Sequence, residues 1–125
     1  MKWVARSVVL AVHEEQIAEH GGTQGIRDIG LLESALARPQ NLAAYGEPDL
    51  AAMAAAYAFG IARNHPFLDG NKRTSYVVTL IFLRLNGFDV HADEATRFET
   101  WMSLAAGELT EESLTEWLRS SLVKI

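Results

Sequence analysis

Apolar positions recur at helical spacing through nearly the whole chain, and the residues that break helices fall between the periodic stretches, which is the pattern of an all-α bundle. A first helix is predicted from Ser7 to His20, stopped by Gly21 and Gly22, with His20 at its negative pole. Asp28 starts a second as N-cap. It runs through LLESALAR and ends before Pro39, leaving Pro39 to Pro48 as the longest irregular connection. Asp49 caps a third helix, in which Leu50, Met53, Ala54, Tyr57, Ala58 and Ile61 share one face. The fourth runs from Asn71 to Asn86 and stops at Gly87. Between Tyr76 and Leu83 only Thr79 is polar, so this helix (residues 71–86) is expected at the buried centre of the bundle, where Leu80→Ala would open a cavity. A fifth follows Asp93, with Phe98, Trp101, Met102 and Ala105 on one face, and stops at Gly107. The sixth is capped by Thr110, takes Glu111 and Glu112 in its first turn, and buries Leu114, Trp117, Leu118 and Leu122.

Six helices in 125 residues make one compact domain, residues 1–125, long enough to bury a core without staples. Apolar residues at 49% and charged residues at 22% exclude a disordered or fibrous chain. The chain has no cysteine, which removes disulfides, thiolate nucleophiles and thiolate metal sites from consideration. Eleven Lys and Arg against 16 Asp and Glu give a net charge of -5, which argues against direct nucleic-acid binding. The apolar stretches Leu50–Ala62 and Ser75–Leu83 are too short to span a membrane, and no cleavage site follows the apolar start, so a cytoplasmic protein is expected.

The chemistry concentrates in HPFLDGNKRT, residues 65–74. Lys72 and Arg73 fall in the first turn of a helix, where the partial positive charge of unpaired N–H groups repels cations. A bound polyanion relieves that conflict: Gly70 lets it approach, the free N–H groups of Asn71 and its neighbours form a nest, and the two cations close it. Asp69 offers a hard oxygen for Mg²⁺, and His65, four residues earlier, offers a titratable base. Pro66 fixes the loop and Phe67 anchors it in the core. Taken singly, a histidine before proline is a frequent loop residue and Asp-Gly-Asn a frequent turn. Together with the misplaced cations they point to transfer of part of a nucleoside triphosphate to an acceptor hydroxyl. The other histidines make no such cluster: His13 and His20 are roughly 10 Å apart along one helix, and His91 has no visible partner. Trp3, Trp101 and Trp117 read as core or rim anchors.

His65, Pro66, Phe67, Asp69, Gly70 and Asn71 stand in the register of the Fic/Doc signature, His-Pro-Phe-x-Asp/Glu-Gly-Asn-Gly-x-x-x-Arg, and the chain resembles that family. Lys72 replaces the glycine and Tyr76 the second arginine of most Fic enzymes. Asn-Lys-Arg-Thr at 71–74, GGTQGIRDIGLLESALARP at 21–39 and LRLNG at 83–87 are similar to the death-on-curing (Doc) branch. The resemblance implies an all-α Fic fold and the toxin of a toxin–antitoxin pair. It implies His65 as general base, Asp69 as Mg²⁺ ligand, Gly70 and Asn71 at the phosphates, and Arg73 as the phosphate contact. Lysine at 72 implies that ATP binds reversed and yields its γ-phosphate to a threonine of elongation factor Tu. AMP transfer, and a non-catalytic module binding its antitoxin as co-repressor, are the alternatives. The inhibitory helix of many Fic enzymes carries Ser or Thr four residues before Glu, a spacing absent here, so inhibition is expected from a separate antitoxin. The C-terminal segment of that antitoxin would fold into a groove of this chain, and its other domain would bind DNA.

Overall fold

The computed structural model describes residues 1–125. It contains α1 (Arg6–His20), α2 (Ile29–Tyr45), α3 (Leu50–Asn64), α4 (Asn71–Leu85), β1 (Phe88–Val90), α5 (Glu94–Ala105), α6 (Glu111–Ser121) and β2 (Leu122–Lys124). The fold is therefore the all-α bundle expected, with one small sheet added. The side-chain caps read from the sequence are all in place: Asp28, Asp49, Asp93 and Thr110 accept from the N–H groups of Leu31, Ala52, Thr96 and Ser113 at 2.7–3.0 Å.

One boundary is corrected. α2 does not end before Pro39 but runs through it to Tyr45, so the irregular connection shrinks from residues 39–48 to the few residues after Tyr45. An interior proline costs a helix about 3 kcal/mol. Here its ring is buried, and α2 is clamped to α3 one turn earlier, where a Cβ on Gly60 would lie 3.2 Å from both Cα and Cβ of Ala35. Helix packing overrides the local stop signal.

α3 is the most completely covered helix, packed between α2, α4 and α6, and its alanines allow the close approach. α4 is the second interior helix. Val78, Thr79, Phe82 and Leu83 are buried on it, whereas Val77, Leu80 and Ile81 are partly exposed, so Leu80→Ala should cost less than the cavity first expected. Phe82 is fully buried and meets Tyr57 at 4.8 Å and Trp3 at 6.0 Å between ring centroids. Val4 N–H donates to the Tyr57 hydroxyl, tying the N-terminal segment to α3, and burial pushes the Tyr57 phenol up. On α5 the buried residues are Trp101 and Leu104, while Phe98 and Met102 face outward. Trp101 Nε1–H donates to Ser75 Oγ, which donates to the Ala58 carbonyl, so one chain of hydrogen bonds pins α5 to α4 and α3. Leu122, expected on the sixth helix, lies instead in β2, which pairs antiparallel with β1 (Val90 opposite Leu122, Phe88 opposite Lys124). No helix is long and apolar enough to cross a membrane.

Asp49 links α3 to α6 by accepting from Arg119 at 2.7 Å while it caps α3. The Arg119 hydrogen bond holds its carboxyl below the usual range. Because the folded value is depressed, this contribution is present above the ordinary value of about 3.8 and is lost as pH falls below it. Asp49→Ala should cost about 1 kcal/mol, mostly the cap, since exposed ion pairs add little. Chemical denaturation at pH 7 and pH 3 checks this: the difference between variant and wild type should shrink at the lower pH.

Candidate active site

The motif loop joins α3 to α4, and local chemistry dictates its shape. His65 closes α3 in the left-handed region (φ 49, ψ 56), the one non-glycine residue there. Its carbonyl and that of Asn64 accept from the Arg27 guanidinium at 2.7 and 2.8 Å, placing a cation at the negative end of α3. Phe67 is buried beneath the loop, and its backbone N–H and C=O are both bonded by the buried Asn71 side chain at 2.9 and 3.0 Å. Asn71 is thus the latch of the loop, and its backbone N–H is what it has left to offer a phosphate. Gly70, left-handed at φ 76, caps α4 without a side chain. The first main-chain bond at the helix start is Thr74 N–H to Gly70 C=O, so the N–H groups of Asn71, Lys72 and Arg73 have no helical partner.

A strap of residues 22–28 holds the loop from the other side. Ile26 pairs with Phe67 in an antiparallel bridge, Arg27 and Asp28 N–H donate to the Pro66 carbonyl, and Leu68 N–H donates to that of Gly25. Asp69 lies exposed against the strap. Its Oδ2 accepts from Thr23 N–H at 3.2 Å and its Oδ1 from Gly70 N–H at 2.9 Å. A Cβ on Gly22, at φ 118, would come within 2.7 Å of Oδ2, so that glycine admits the carboxylate.

His65, Leu68, Asp69, Gly70, Asn71, Lys72 and Arg73 line one open depression of about 330 Å³, which brings His65, Asp69 and the start of α4 together. Pro66 and Phe67 lie buried under it. Lys72 turns aside. Its Nζ sits 2.9 Å from Met102 Sδ and 5.5 Å from the centre of the Phe98 ring, where a π face replaces the repulsion of the helix start. Lys72 and Arg73 also line an adjoining depression of about 530 Å³ between α4 and α5, with Tyr76, Phe98 and Trp101. Arg73 makes no ion pair.

The chain has no group of three or more His, Cys, Asp or Glu that could hold a metal by itself. Asp69 suits Mg²⁺ in the other way that ion is held, by one carboxylate plus phosphate oxygens and water. Each of its oxygens accepts only one N–H, which leaves lone pairs free.

Three contributors escape the sequence reading. Apart from the Arg27 guanidinium, the strap interacts through its backbone, which leaves no residue-type signal. Phe98 and Met102 share the apolar face of α5 with Trp101 but are exposed. His13, too far from His20 to share an ion with it, is buried against the loop. Its place in the otherwise apolar stripe Val9, Val12, Ile17 was the available signal.

Residues 3–83 match the model of the Fic/DOC family. The chain is 35% identical over 120 residues to the protein named "Protein kinase doc" of Escherichia phage P1, covering 95% of this chain and 94% of that one. It is 43% identical over 90 residues to "Toxin Doc" of Mycolicibacterium smegmatis, covering 69% and 68% of the two. A loop with the Fic signature, set on a helical bundle, matched by the family's model and by one relative along nearly the full length, makes this chain a member of the Fic/Doc family.

Proposed function

We propose that the chain is the toxin of a toxin–antitoxin pair, a cytoplasmic phosphotransferase that moves the γ-phosphate of ATP to a threonine hydroxyl of elongation factor Tu and so arrests translation. The observation that carries this reading is that His65 and Asp69 share one depression with the open N–H groups of the α4 start. The names of the two relatives, a kinase and a toxin, agree with it.

His65 would accept the proton of the acceptor hydroxyl as its oxygen attacks the γ-phosphorus. The bond from that phosphorus to the bridging oxygen breaks and ADP leaves. The N–H groups of Asn71, Lys72 and Arg73 and the Arg73 guanidinium would hold the phosphate oxygens. Mg²⁺ on Asp69 would neutralise charge on the phosphates. Because Lys72 and Arg73 line both depressions, the remainder of the nucleotide has a cationic path from His65 toward α5. A separate antitoxin, with its C-terminal segment folded into a groove of this chain, would neutralise the toxin, and direct nucleic-acid contact is not part of the reading.

The test is a paired assay on elongation factor Tu with ATP labelled on the α- or the γ-phosphate. Label from γ alone is expected. Label from α would make the chain an AMP transferase, a second reading favoured by the withdrawal of Lys72 onto α5, which leaves the loop depression free of its ammonium. No label from either would leave the non-catalytic binding module. Lys72→Gly should cut γ-transfer on the order of tenfold or more by removing one phosphate-path cation, and should admit transfer of α-label. Unchanged γ-transfer would show that position 72 does not set the orientation.

A further inference from the structure

His13 is the buried ionisable side chain that meets the motif loop, and the proposed chemistry does not use it. It lies on the inner face of α1 with Val9, Val12 and Ile17 and is 4% exposed. An imidazole in an apolar stripe is costly to bury unless its polar atoms are bonded. Here Nε2 lies 2.8 Å from the carbonyl oxygen of Asp69. A carbonyl only accepts, so the ring carries its proton on Nε2 and donates it. The ring lies flat on Phe67, with 3.8 Å between centroids and 6° between planes, which leaves it no room to swing.

We propose that His13 is a positioning residue: by holding the Asp69 carbonyl it fixes the Asp69–Gly70 peptide, and with it the phosphate and cation seat at the start of α4. In a trans peptide the C=O and N–H point in opposite directions, and no peptide in this chain is cis. Drawing the carbonyl toward α1 therefore turns the Gly70 N–H away from α1, where it donates to Asp69 Oδ1 at 2.9 Å. Gly70 is the residue whose backbone is freest to rotate, so the peptide before it needs an outside hold. Ile17 supplies the rest of the floor: a Cβ on Gly70 would meet its Cδ1 at 3.0 Å and the His13 ring at 3.7 Å. Without the His13 donor the peptide is free to flip, which would release the Asp69 carboxylate from one of its two backbone holds and unseat the turn that presents the open N–H groups of Asn71 to Arg73.

The proposal rests on reading the α4 start as a phosphate seat, and the test separates the two. Wild type, His13→Gln and His13→Leu are compared by the amide resonance of Gly70 and by titration with Mg²⁺ and inorganic pyrophosphate, neither of which needs an acceptor protein. Glutamine keeps a donor at the ε position, and leucine keeps only apolar bulk. His13→Leu should displace the Gly70 resonance and weaken pyrophosphate binding at least about tenfold, the usual scale for groups that orient a ligand-holding residue. His13→Gln should restore most of both. An unmoved Gly70 resonance in His13→Leu overturns the proposal, as does a glutamine variant as impaired as the leucine one, since packing alone would then explain the loss. If the wild type itself ignores pyrophosphate, the phosphate seat falls while the Gly70 resonance still decides the role of His13. Should His13→Leu fail to fold, the ring tautomer of the wild type decides: a proton on Nδ1 overturns the proposal and one on Nε2, with rescue by glutamine, sustains it.

Discussion

Replacing His65 by glycine is expected to remove phosphotransfer and to stabilise the protein in the same variant. His65 holds φ at 49, a conformation that costs an L-residue about 1–2 kcal/mol. Glycine adopts it freely and gives back roughly 0.5–1 kcal/mol through its more flexible unfolded chain, so a net gain of about 0.5–1 kcal/mol remains. The imidazole forms none of the hydrogen bonds that hold the loop; those use the His65 carbonyl, which glycine keeps. Loss of a general base lowers the rate by about 10²–10⁴. Thermal denaturation and transfer of γ-label measure both effects. Transfer at the wild-type rate would take His65 out of the chemistry, and a lower melting temperature would mean that the ring itself supports the loop. The expected pairing marks a strained residue kept for what its side chain does.

Phe82→Ala should act in the opposite way, with about 3–5 kcal/mol of stability lost and the geometry of the motif loop retained. The ring is fully buried and joins three parts of the chain: Tyr57 of α3, Trp3 of the N-terminal segment and its own helix α4. None of these neighbours can collapse into the hole easily, because Tyr57 is held by Val4 N–H and the Trp3 indole stacks across it at 18°. Phe82 lies three helical turns, roughly 16 Å, from Asn71. Urea denaturation should show the whole loss, equivalent to a melting temperature lower by on the order of 10–20 °C. At a temperature where the variant is folded, nucleotide binding should be unchanged. A loss under about 1 kcal/mol would show that Phe82 is not a keystone of the core.

The contrast between these two positions explains what could be read from the chain. Cap residues act within three positions of themselves, so Asp28, Asp49, Asp93 and Thr110 announced four helix starts that the fold keeps. The motif loop was legible for the same reason, since Asn71 latches Phe67 four residues back and Gly70 turns the chain at once. Signals that depend on distant partners failed. Pro39 said stop, but α3 holds α2 through it. Phe98 and Met102 matched a helical face, yet no element covers that part of α5, and they surround Lys72 instead. His13 serves the site across 56 residues; its place in an apolar stripe hints that it is buried, but the partner it serves is too far along the chain to be read. β1 and β2, three residues each, are too short for an alternating pattern to stand out.

The strap has a consequence for how the molecule comes apart. Its bonds to the motif loop close a ring of chain, 38 residues from Arg27 to His65 and 46 from Thr23 to Asp69. Pairing of α2 with α3 already closes most of that ring, with Asn64 donating to the Leu31 carbonyl, so little further chain entropy is lost when the strap fastens and little is needed to release it. Residues 22–28 are all exposed and reach the loop by hydrogen bonds at the surface, the kind that open first in a native protein. The strap amides are therefore expected to exchange with solvent well before those of α3. A helical bundle with an intact core can then be present in solution with its motif loop unfastened, so a mild stress would silence the proposed chemistry while the molecule, by bulk measures, is still folded.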